Sequence, residues 1–124
     1  SPMRIEIRGR NVEVNDELRE QVTQRFKRLG EQVSSLARIE VVFSEEQNPA
    51  ITDKYVAEAT LHLKGVTLHA HEASPDMTHT IHELAEDMRR QVKRHREKRR
   101  KRRETRKLVN RLQGRETGGA QPGL

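Results

Sequence analysis

The apolar residues of this chain stop supplying a core well before the chain ends. Met77, Ile81, Leu84, Met88 and Val92 recur at spacings of four, three, four and four, the period of one buried helix face. Beyond Lys98 no apolar residue appears until Leu108, Val109 and Leu112. Whatever folds must be closed before that gap, and the segment that follows has nothing with which to pack on it. Only 31% of the 124 residues are apolar, so the core is small, and the length suits one domain and an extension.

Where the apolar spacing fades, charge takes over. Residues 89 to 115 hold fifteen Lys or Arg against two acids, Glu97 and Glu104. Residues 1 to 88 carry ten basic and sixteen acidic side chains, a balance of −6, whereas residues 89 to 124 carry fifteen and three, a balance of +12. An acidic body with a strongly basic end points to nucleic acid or an anionic membrane surface as the partner of that end. The cationic stretch lacks the Trp, Phe and Leu face that an interfacial helix buries, so a membrane is disfavoured. Lys and Arg that neutralise phosphates release condensed counterions, which makes such binding steeply salt-dependent.

Upstream, the periods alternate between strand and helix. Met3, Ile5 and Ile7 alternate with Arg4, Glu6 and Arg8, as in a half-buried strand ended by Gly9-Arg10-Asn11. Asn15 is placed to cap a helix whose first turn is acidic and whose apolar face is Leu18, Val22, Phe26 and Leu29, with Gly30 as an end or fray point and Val33 as the alternative that adds another turn. Ile39, Val41 and Phe43 predict a second strand, and Tyr55, Ala57, Ala59, Leu61 and Leu63 a third. Leu68 and Ala70, after a turn at Lys64-Gly65, predict a fourth. Ser74-Pro75-Asp76 reads as the start of the long amphipathic helix, with Ser74 as cap and Pro75 in the first position. The pattern predicts an α+β domain, β-α-β-β-β-α, with one four-stranded sheet covered on one face by two helices. Its expected span is 3–98, followed by a basic helical extension or linker over 99–124 that ends in a disordered Gly-rich tail.

The same residues exclude several chemistries. With no cysteine there is neither a disulfide framework nor a thiolate zinc site. His69 and His71 share a strand face, and His79 and His82 a helix face, but no third ligand stands at a recognisable spacing, so no metal or cofactor is expected. No nucleophile elbow, Gly-rich phosphate loop or acid pair with a base is present, which argues against an enzyme. One Tyr and two Phe leave no aromatic pair to stack bases as an RNA-recognition motif does. Recognition of backbone and shape by helix-borne cations remains. No apolar run approaches the roughly 20 residues of a membrane span, and strand alternation begins at Met3 with no signal-peptide pattern. A cytoplasmic setting is expected.

Several segments resemble the ribosome hibernation promoting factors, also called ribosome-associated inhibitor or sigma-54 modulation proteins. They are I-R-G-R-N-V-E-V-N from Ile7 to Asn15 with Leu18-Arg19, and A-E-A-T-L-H from Ala57 to His62. L-H-A at Leu68 to Ala70, Glu72-Ala73, Asp76-Met77 and R-Q-V-K-R-H-R-E-K from Arg90 to Lys98 complete the set. The resemblance covers residues 3 to 98 in order. It implies a fold similar to double-stranded-RNA-binding domains and a partner in the small ribosomal subunit and its ribosomal RNA. The site it implies is the channel of messenger and transfer RNA, where occupancy inhibits translation by steric exclusion.

On that resemblance, the RNA-binding positions fall on Arg19, Arg25 and Arg28 of the first helix and on Arg90, Arg94, Arg96 and Lys98 of the second. Arg89 and Lys93 add cations the family pattern does not require, Arg10 is the best placed of the first strand's cations, and Arg99, Arg100, Lys101, Arg102 and Arg103 extend the anchor. Two positions depart from the pattern: Thr78 stands where an aromatic is common, and His82 replaces a short polar residue. Long family members carry a second, dimer-forming domain that this chain lacks, so self-dimerisation is not expected. The alternatives are a general duplex-RNA-binding protein, tested by competition with unrelated duplex RNA, and a protein-interaction module regulating a transcription factor, whose partner nuclease would not release.

Overall fold

The period-two segments pair as their apolar faces require. The computed structural model describes residues 3–120, with side chains to residue 114. Its elements are β1 (Arg4–Gly9), α1 (Asp16–Gln32), β2 (Arg38–Glu45), β3 (Tyr55–Leu63), β4 (Val66–Ser74) and α2 (Met77–Ala120). The strands lie side by side in chain order, β1 parallel to β2 and the other neighbours antiparallel. A parallel pair cannot be joined by a hairpin, and α1 is the crossover that joins this one. The two-residue turn between β3 and β4 places Gly65 at φ 78°, a conformation that costs glycine nothing.

One sheet face is apolar and one is ionic, because side chains alternate along each strand. Ile39, Val41 and Phe43 of β2 stand opposite Leu61, Ala59 and Ala57 of β3, all buried. Val22, Phe26 and Leu29 of α1 and Ile81, Leu84, Met88 and Val92 of α2 complete this core. Each large side chain so enclosed contributes about 1.5–3 kcal/mol. On the opposite face Arg38 pairs with Glu40 and reaches Glu6 at 4.0 Å, and His62 lies 3.7 Å from Glu40. The Arg38 hydrogen bond is the main reason that the Glu40 carboxyl is held below its ordinary value.

Three polar devices fix the ends of these elements. Gly9 passes so close to Val12 that a Cβ would lie 2.1 Å from its carbonyl oxygen. Two residues on, the Asn11 amide donates to the Glu45 carbonyl at 2.8 Å and accepts from the Glu45 N–H at 2.7 Å, so a side chain takes the place of a strand partner. At the start of α2, the buried Thr80 hydroxyl donates to the Tyr55 carbonyl at 2.9 Å and lies 2.6 Å from Ser74 Oγ. Gln91 on α2 donates to the His69 carbonyl on β4, the last strand of the sheet, at 2.6 Å.

The structure fixes the ends of these elements and differs from the sequence reading at the cap of α2. Of the two ends the sequence offers for α1, the later one holds: the helix runs to Gln32 with Val33 as its cap, and Gly30 sits against Met3, where a Cβ would be 3.4 Å from the Met3 Cβ. Asn15 caps α1 as expected, accepting from Leu18 N–H at 2.8 Å. Ser74 is not the cap of α2, since it is the last residue of β4, and Asp76 accepts from the His79 N–H at 2.9 Å instead. The compact unit closes at Val92, and from Lys93 the chain forms a second unit that is helical to Ala120. Part of the Gly-rich end is therefore helical, and the rest of it, 121–124, lies outside the described residues.

A Gly9→Ala chain should lose about 3 kcal/mol of stability, at the upper end of the ordinary range, because a backbone oxygen has to move. Denaturant unfolding measures this. An unchanged midpoint would mean that the β1–α1 turn has slack the structure does not show.

Candidate nucleic-acid interface

Because Val22, Phe26 and Leu29 turn one face of α1 inward, Arg25, Lys27 and Arg28 are left on its exposed side. The matching stripe of α2 leaves His82, Glu86 and Arg89 half-buried beside it. Together these residues, with Gln24, Glu31 and Ala85, line a trough of about 470 Å³ between the two helices. A second hollow of about 480 Å³ adjoins it through the shared Gln24 and Arg25 and is lined also by Glu20, Gln21 and Thr78. Thr78 donates to the Gln21 side chain at 3.2 Å, tying the helices together at the position where an aromatic is usual. Four permanent cations against Glu31 and Glu86 give the trough a positive balance.

Arg89 is the least comfortable of them. Its Nη1 donates to Glu86 at 2.8 Å, but its Nε is buried with no acceptor. A buried donor left unpaired costs about 1–3 kcal/mol. The guanidinium thus retains hydrogen-bonding capacity that an oxyanion, which accepts a planar fork, can use.

The sequence-selected cations do not all converge. Arg25, Arg28 and Arg89 share the trough, whereas Arg19 is exposed on α1 outside its lining. Arg10 is drawn to the opposite sheet face, where its Nη2 lies 3.8 Å from Glu58. Arg90 stands on the other flank of α2, where its positive charge acts on Glu72. Glu72 itself is pushed above the ordinary carboxyl value, first by burial and then by Asp87 and Glu83, with Arg90 and His71 opposing. Lys93, Arg94, Arg96, Lys98, Arg99, Arg100, Lys101, Arg102 and Arg103 are exposed on the helical extension. At about 100° per residue they point in every direction around its axis, so the extension is a cationic rod and not a cationic face. His95 is the exception there: burial, then Arg99, Arg102 and Lys98, hold its imidazole below the ordinary value.

Lys27 and the role of His82 in the trough were missed by sequence reasoning. Lys27 carried a signal, two residues after Arg25 and next to Arg28; His82 did not, since only the packing of α1 on α2 brings it to those cations. The histidine pairs do not converge. His79 lies 3.9 Å from Glu83, His71 3.9 Å from Glu58, and His69 Nδ1 3.3 Å from the Thr60 hydroxyl. Among the described residues no group of three or more His, Cys, Asp or Glu is arranged to hold a metal ion, and no helix is long and apolar enough to cross a membrane.

A four-stranded sheet covered on one face by two helices, with a cationic trough between them, defines the class: an α+β domain with a basic groove on its helical side. The chain belongs to the family described as Sigma 54 modulation protein / S30EA ribosomal protein, which it matches over residues 5–100. It is 35% identical over 94 residues to a ribosome hibernation promoting factor of Salmonella typhimurium, covering 76% of this chain and 94% of that one. The corresponding protein of Escherichia coli is 33% identical over the same length and the same shares. The fold matches that of the Thermus thermophilus Protein Y N-terminal domain with a TM-score of 0.66 and 28% identity, over 75% of this chain and 99% of that one. A ribosomal subunit interface protein from Coxiella burnetii shares the fold, with a TM-score of 0.65 at 24% identity, over 76% of this chain and 98% of that one.

Glu72 gives a pH prediction. Its folded value is raised, so its protonated form fits the fold. That stability is complete below the unfolded value, near 4.5, and is lost as pH rises through the folded value. Glu72→Gln should therefore raise the thermal midpoint at neutral pH and change it little near pH 3.5. Equal effects at both pH values would show that neither burial nor the neighbouring carboxylates penalise its ionised form.

Proposed function

We propose that the chain is a ribosome hibernation factor that binds the small ribosomal subunit at the messenger and transfer RNA channel and inhibits translation by steric exclusion. The observation that carries this reading is the trough of Arg25, Lys27, Arg28 and Arg89 on a fold whose relatives are ribosome hibernation promoting factors. Two helices held rigidly on a sheet present these cations at fixed spacing, which suits recognition of a phosphate backbone by shape and not by base. No catalysis, cofactor or metal enters the mechanism: the protein acts by occupying space while electrostatic contacts hold it there. Such an activity belongs in the cytoplasm.

The two units divide the work. The trough, built into the packed domain, sets where the protein sits. The helical extension, cationic on every side, adds phosphate contacts without choosing among them. That all-round charge is also what favours the second reading, a general duplex-RNA-binding protein, because a rod of uniform charge does not discriminate between one polyanion and another.

Reversing Arg25, Arg28 and Arg89 to Glu should leave the fold intact, since none belongs to the core, and abolish co-sedimentation with small subunits at about 0.1 M salt, where phosphate contacts are still effective. Retained affinity would remove the trough from the interface. Excess unrelated duplex RNA should fail to displace the wild-type chain; ready displacement favours the general binder. Ending the chain at Lys98 should weaken binding and flatten its salt dependence by about 0.7–0.9 in logarithmic slope for each phosphate that is no longer neutralised, with the footprint on the subunit unmoved.

A further inference from the structure

One group in the trough has a charge that is not fixed. We propose that a phosphodiester backbone entering the trough between α1 and α2 is bound together with a proton taken up by His82, so that binding at this site is linked to pH. The inference rests on the reading of the trough as a polyanion site.

His82 is half-buried and shares the trough with Arg25, Lys27, Arg28 and Glu31 of α1 and with Glu86 and Arg89 of its own helix. Imidazole is the side chain whose charge ordinarily changes between about pH 5 and 8. Four permanent cations and two carboxylates line the trough with it. A phosphate seated there neutralises the cations and brings negative charge beside the ring, and a nearby opposite charge favours the charged form. On the same wall the Nη1 of Arg89 is held by Glu86 and its Nε is buried without a partner, so the guanidinium has one donor still unsatisfied. The other imidazoles of the compact unit lie elsewhere. His62, His71 and His79 already stand 3.7–3.9 Å from Glu40, Glu58 and Glu83, and His69 is beside Thr60.

The sign follows from the direction of the change. The anion raises the value at which His82 titrates in the complex above that in the free protein. The added affinity is therefore complete below the free value, is lost as pH rises through the value in the complex, and is absent above it. Binding should therefore tighten about three- to tenfold between pH 8 and pH 6.

The test is binding of the full chain to purified small ribosomal subunits at about 0.1 M salt, where phosphate contacts are effective, at pH 6 and pH 8, for wild type and His82→Gln. Calorimetry in two buffers of different ionisation enthalpy counts the protons taken up. The expected result is tighter wild-type binding at pH 6 with net proton uptake, both reduced in the variant. An equal pH dependence and equal uptake in His82→Gln overturns this proposal alone; no wild-type binding at either pH overturns it together with the ribosomal reading. A measurement that needs no variant is the imidazole spectrum of the wild-type chain titrated with a short duplex RNA at fixed pH. Movement of the His82 ring signals toward imidazolium supports the proposal, and unmoved signals in a chain that binds the RNA overturn it.

Discussion

The packing on which the rest depends is that of the apolar stripe of α2 against the inner face of the sheet. Ile81, Leu84, Met88 and Val92 are all essentially sealed from water, and they are the last core residues the chain has. A four-stranded sheet needs at least one covered face, and α1 alone, with Val22, Phe26 and Leu29, covers only part of it. The cations that follow Val92 are carried by the same helix. Packing and electrostatics are therefore joined in one element: the turn that closes the core is adjacent to the turn that begins the polycation.

The uncovered sheet face shows how the chain manages without a second layer. Small and ionic side chains alternate there, and Glu6, Glu40 and Glu58 each stand beside an Arg or His. Exposed pairs of this kind contribute little to stability individually, about 0–1 kcal/mol. Their consequence is to leave that face nearly balanced in charge. Arg10 is one of the residues used for this, paired with Glu58, which is why a cation that looked available in the sequence is directed away from the trough.

Most of the fold was legible because its periods were clean. Alternation at Ile39, Val41 and Phe43, and at Ala57, Ala59 and Leu61, named the buried face correctly, and Asn15 announced α1. The ends that were left open or misread turned on tertiary contacts invisible in a linear string. Gly30 looks like a helix end, yet its lack of a side chain serves the approach of Met3. Ser74 looks like a cap, yet its hydroxyl is taken up by Thr80 at the strand end. The candidate site was legible in kind, as Lys and Arg, but not in arrangement. Arg89 and Arg90 are neighbours in sequence and lie on opposite flanks of α2, and His82 joins the trough only because two helices sit side by side.

Gln91 offers a last consequence. The outer strand of a sheet exposes unpaired backbone groups, and these are the usual template on which one molecule adds to another. Here the amide of Gln91 takes the His69 carbonyl in the middle of that border, and the helix bearing it runs alongside. The same helix that completes the interior thus also guards the perimeter. One backbone acceptor of that border is thereby taken by the chain itself and is not offered to a second molecule.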